Sequence, residues 1–137
     1  MMMRQLRICI GSNDGRNIAN THMGDTAFFL IYELTDDMKS KFIEQRTNTA
    51  KALDHAQTDK MKHILALVND SDILVAQRNS PNFRKIAQQT EYQPVVVKAD
   101  AIEAVLHLLL KHFEEMIGMV ELRKVGKPVT EIPEFAH

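Results

Sequence analysis

Apolar and polar positions along the chain follow two periods, and the changes between them mark out the elements. Residues 6–10 form a short run rich in branched side chains, broken only by Arg7, and it stops at Gly11-Ser12-Asn13-Asp14-Gly15. That pattern predicts a strand ending in a loop, and the loop character persists from Asn17 to Asp25. Residues 27–34 (AFFLIYEL) predict a second strand, apolar on both faces at its centre as in a sandwiched strand. Asp36-Asp37 marks a turn. Residues 41–47 alternate only in part, which predicts a third strand at an edge.

The second half switches to helical spacing. After a polar stretch over 48–58, a helix starting at Thr58 or Asp59 carries Met61, Ile64, Leu65 and Val68 at i, i+3, i+4 and i+7. Residues 72–77 (DILVAQ) predict a short buried strand. Ser80-Pro81 predicts a helix start, because Ser caps and Pro needs no N–H in the first turn. Residues 94–98 (PVVVK) predict a further buried strand. Asp100 and Glu103 have the spacing of a capping box. They open one long helix whose apolar stripe runs from Ile102 to Val120, with Glu103, His107, Lys111 and Glu114 on the opposite face. Past Gly126, Pro128 and Pro133 exclude regular helix, so the tail is either disordered or an arm packed on a partner.

The predicted order is β-β-β-α-β-α-β-α. Right-handed parallel crossovers in the second half then give an α/β fold with a mixed five-stranded sheet and helices on its faces. With 137 residues, the expectation is one domain over 4–122 and a C-terminal extension over 123–137. Seventeen basic and 18 acidic residues leave a net charge of −1, so no electrostatic footprint for nucleic acid exists. The single cysteine, Cys9, cannot form an internal disulfide. The apolar run at 6–10 is too short for a signal peptide or a membrane span, so a cytoplasmic protein is expected.

Residues 7–15 (RICIGSNDG), Thr21-His22-Met23-Gly24-Asp25 and the following Phe28-Phe29-Leu30-Ile31-Tyr32 resemble the dinitrogenase iron–molybdenum cofactor biosynthesis family. The middle segment, residues 63–76, is similar to that family's helix, acidic turn and buried strand. The resemblance covers about residues 4 to 117. It implies a ribonuclease-H-like three-layer fold and a small protein that carries or inserts iron–sulfur or molybdenum-containing clusters, exchanging them with donor or acceptor proteins. It also implies that the loop histidine, here His22, holds the cluster. The chain departs from the family pattern at Met23, where an aromatic is usual, and at Asp25, where a basic residue is common and an acid disfavours an anionic cluster. The turn after the fourth strand reads Arg78-Asn79-Ser80-Pro81-Asn82 instead of a glycine-rich sequence.

His22 is therefore the candidate metal ligand, a neutral imidazole in a polar loop; the alternative is a ring hydrogen-bonded to the loop backbone. Met23 either adds a thioether or packs over the sheet end. Asn13 faces a ligand or forms part of an Asn-Asp-Gly turn. Arg78 stands at the end of a buried strand, where ligands favour open α/β sheets, and could offset negative charge. Cys9 reads as a small core filler rather than a thiolate ligand. His55 and His63 lack a metal-ligand spacing, and His107 and His112 lie about 140° apart round a helix. There is no Gly-x-Ser-x-Gly, Walker loop or Gly-x-Gly-x-x-Gly, and the first strand carries no carboxylate for two-metal nuclease chemistry. The expectation is a non-enzymatic binding protein, monomer or homodimer, with an interaction or regulatory module acting through the long helix and tail as the alternative.

Overall fold

The computed structural model describes residues 3–52, 57–127 and 129–136. The elements are β1 (Gln5–Ser12), β2 (Phe28–Thr35), β3 (Lys39–Thr47), α1 (Gln57–Leu67), β4 (Ile73–Ala76), α2 (Pro81–Gln89), β5 (Gln93–Val97), α3 (Ile102–Lys111), α4 (Phe113–Lys124) and β6 (Glu134–Phe135). They form a mixed α/β structure whose six strands lie in the order β3-β2-β1-β4-β5-β6. β2 runs antiparallel to its neighbours β1 and β3, while β1–β4, β4–β5 and β5–β6 are parallel pairs. No helix among the described residues is long and apolar enough to cross a membrane.

Strand alternation sorts the core onto the two faces of the sheet. Leu6, Ile8 and Ile10 of β1 join Leu30, Val75, Val95, Val105, Leu109 and Met116 on the face covered by α3 and α4. Cys9 joins Phe29, Ile31, Leu74, Phe83 and Ile86 on the face covered by α1 and α2. Burial raises the Cys9 thiol far above its ordinary value, which agrees with a filler role. Gly11, read as the end of the first strand, lies within β1, where a Cβ would stand 2.8 Å from Thr26 Cγ2.

The expected five-stranded sheet is corrected to six strands. The tail returns along β5, pairing Val96 with Glu134 and Val97 with Phe135. Val96 and Lys98 donate their N–H groups to Pro133 O and Phe135 O, each at 2.9 Å. The N–H that Pro94 lacks belongs to that same outward row, but at a position where β6 does not pair, so proline is tolerated in β5. Through these bonds the described part of the tail packs on its own chain. Gln93 Nε2 donates to Glu131 O at 3.2 Å, and the Phe135 ring stacks on His112 with centroids 4.0 Å apart.

Two further expectations change. The single long helix divides at His112, whose φ of −106° and ψ of 20° leave helical geometry where its ring meets Phe135. The capping box at Asp100 and Glu103 does not form, because the N-cap is Ala101 and it makes no side-chain cap. Asp100 Oδ1 instead accepts from Gln77 Nε2 at 2.9 Å, and the first N–H of α3, from Ile102, is satisfied by Arg16 O at 2.9 Å. The Ser80 cap does form: its hydroxyl accepts from Phe83 N at 3.1 Å, with Pro81 in the first turn.

Candidate functional site

The parallel strands end at a crevice where β1 leads away to one side of the sheet and β4 to the other. Loops at such a reversal are not drawn together by a crossover, so they leave a depression. On the α1 and α2 side lies a pocket of about 290 Å³. Met23, Ile64, Leu65, Leu74, Phe83 and Ile86 supply its apolar surface, with Met61 beside them. His22, Asp25, Lys60, Ser80 and Asn82 supply its polar groups.

Hydrogen bonds fix the loop that carries His22. His22 has extended backbone geometry and precedes a 3-10 turn at Met23–Asp25, closed by Asp25 N donating to His22 O at 2.9 Å. The Thr26 hydroxyl donates to Met23 O at 3.0 Å. Buried Asn48 donates from Nδ2 to Gly24 O at 3.0 Å and to Thr26 O at 2.8 Å. These bonds seat the Met23 side chain in the core, only 6% exposed, and leave His22 exposed at the rim. Among the described residues no hydrogen bond is made to the His22 ring, so the backbone-bonded alternative finds no partner there.

His22 and Met23 therefore share one pocket, while Asn13 and Arg78 lie outside it. Asn13 Oδ1 accepts from Ala27 N at 2.9 Å, which ties the first loop to the start of β2. Its neighbour Asp14 accepts from the N–H groups of Arg16 and Asn17, both at 2.8 Å, and from Asn17 Nδ2. Those bonds hold the Asp14 carboxyl far below the usual carboxylate range. The Asn-Asp-Gly run is thus a built turn, with Gly15 at a φ of +78°. Arg78 is exposed and lines a separate shallow depression with Asn20, Lys98 and Asp100. Ser80 and Asn82 of the same turn do reach the pocket.

The other described histidines do not line the pocket. His63 Nε2 is 2.7 Å from the Thr49 hydroxyl, and His107 is exposed. His55 lies outside the described residues. Among the described residues no group of three or more His, Cys, Asp or Glu side chains is placed to hold a metal ion.

The sequence reading did not foresee Lys60. Its Nζ is 2.7 Å from Asp25 Oδ1, so the acidic departure in the loop is neutralised by a cation from α1. Met61, Ile64 and Leu65 read as an ordinary core stripe; they do pack against the core, but they stay half-buried because they also line the pocket.

A mixed α/β domain with a half-apolar pocket at the C-terminal end of its parallel strands defines the class. Within that class, residues 4–112 match the profile of the dinitrogenase iron-molybdenum cofactor family. The chain belongs to that family. A comparison with curated proteins finds no match.

Proposed function

We propose that this protein is a carrier that holds a metal–sulfur cluster or a related small anion in the pocket beside His22. The observation that carries the reading is His22, whose ring makes no hydrogen bond among the described residues, at the rim of a pocket that also contains Met23 and Met61. A preassembled cluster with one open metal position needs few protein ligands, and an imidazole can fill that position. The apolar wall suits the weakly hydrated sulfide faces of such a cluster better than an oxyanion, whose lost hydration needs several donors. The cluster is cargo, and the reading assigns the chain no catalytic step. Cluster donor and acceptor proteins would be its partners.

The strand order also supports the ribonuclease-H-like reading, since only β2 runs against the other strands of the sheet. In this reading Met23 forms part of the floor, Asn13 braces the loop, and Arg78 takes no direct part. The tail makes hydrogen bonds within the chain, through β6 and Glu131.

The test is anaerobic mixing of the protein and its His22→Ala variant with iron–sulfur and molybdenum–sulfur clusters. Metal retained after desalting, and its visible spectrum, are then measured. Near-stoichiometric retention that falls at least tenfold in the variant is expected. Equal retention by both proteins would remove His22 from the site.

A further inference from the structure

We propose that the Asp25–Lys60 ion pair is a charge latch on this pocket, which an anionic ligand opens by drawing Lys60 away from Asp25. The inference rests on the reading of the pocket as a site for an anion, and it names the residues that set its affinity. Among the residues that line the pocket, Asp25 and Lys60 carry the formal charges. They are joined at 2.7 Å, so with the latch closed these two charges cancel.

The two partners are held unequally. Asp25 belongs to the 3-10 turn that Asn48 and Thr26 brace, whereas Lys60 is a long side chain near the start of α1. Their side chains are 50% and 23% exposed. A pair this exposed contributes little to stability, so it can exchange partners without loss of the fold. An anion in the pocket gains Lys60 only in competition with Asp25, and it also meets the Asp25 charge directly. Both effects have the same sign: Asp25 weakens anion binding and Lys60 strengthens it. The charge departure at Asp25 therefore tunes an anion site without abolishing it.

The test uses tetrathiomolybdate, a coloured, sulfur-faced dianion, as the probe. Its dissociation constant is measured by anaerobic equilibrium dialysis against wild type, Asp25→Asn, Lys60→Gln and His22→Ala. Asp25→Asn should bind about fivefold tighter and Lys60→Gln about fivefold weaker, the scale of one partly screened charge pair. The gap between wild type and Asp25→Asn should narrow as salt rises. Thermal midpoints of both charge variants should stay near that of wild type, which excludes a folding effect. Equal or weaker binding by Asp25→Asn overturns the latch, whatever His22→Ala does. Tighter binding by Asp25→Asn with no effect of His22→Ala sustains the latch and overturns the ligand role of His22. Binding by none of the four proteins overturns both.

Discussion

Replacing Arg123 by methionine keeps most of the apolar stem and removes every donor of the guanidinium. Arg123 is 8% exposed, and among the described residues no carboxylate pairs with it. Its Nε donates to Gln93 Oε1 at 2.7 Å. One terminal nitrogen donates to Ala87 O at 3.1 Å and Thr90 O at 3.0 Å, and the other to Val129 O. One side chain thus closes the C-terminal end of α2, anchors the buried Gln93 and fastens the tail. Burial pushes the Arg123 pKa down, so the cation is stressed, yet four acceptors depend on it. Gln93 Oε1 and Ala87 O are buried, and each left unpaired costs about 1–3 kcal/mol. Loss of a cation at a helix C-terminus adds up to about 1 kcal/mol, and relief of the buried charge offsets part of the total. The net expectation for Arg123→Met is a loss of about 3 kcal/mol, or roughly 10 °C in Tm for a chain of this size. Urea and thermal unfolding measure it. Arg123→Lys should recover little, because one ammonium cannot reach four separated acceptors. A loss under 1 kcal/mol in Arg123→Met, or full recovery in Arg123→Lys, would refute the reasoning.

Acid unfolding should report Asp70, whose carboxyl is lowered from 3.8 to about 2 chiefly by hydrogen bonds from Arg46. The unfolded chain binds this proton more readily, so the contribution is complete above about pH 4 and disappears as pH falls through about 2. Stability of Asp70→Asn should therefore vary less than that of wild type across this window, and identical slopes would exclude the assignment. In Gly24→Ala the new Cβ would stand 2.9 Å from Ile64 Cδ1, the movable end of a pocket-lining side chain. Tm should shift by only a few degrees while cluster retention falls, and unchanged retention would show that this side of the pocket does not touch the ligand.

Elements that announce themselves locally were legible in the sequence. The apolar runs at 6–10 and 27–34 became β1 and β2, and Ser80-Pro81 opened α2 as its chemistry requires. β6 gave no such signal. Two residues beside a proline carry no period, and their partners Val96 and Val97 are far back in the chain. Arg123 fell at the start of the expected C-terminal extension, and a sequence does not show which carbonyls will converge on it. The same limit applies at the site. His22 stood out because the resemblance to the cofactor family falls on its loop. Lys60 did not, because its pairing with Asp25 spans 35 positions and follows no spacing rule. Met61, Ile64 and Leu65 have the same stripe whether a helix covers a sheet or a pocket.

The two helices that wall the pocket share one polarity. The pocket runs along both helices, from Lys60 and Met61 to Ile64 and Leu65 of α1 and from Asn82 and Phe83 to Ile86 of α2, while an arginine stands at each far end. Arg46 of β3 donates to Leu67 O at 2.8 Å and to both oxygens of Asp70, at 2.7 and 2.8 Å, just past α1. Arg123 does the same for α2 through Ala87 O and Thr90 O. Each cation satisfies the negative end of its helix. The start of α2, at Ser80 and Asn82, borders the pocket, and a helix N-terminus is worth about half a positive charge. With Asp25 and Lys60 cancelling, that helix end adds a field of the sign an anion needs. Under the proposed function a negative cluster would gain from this helix end as well as from His22, with Asp25 setting how tightly Lys60 joins them.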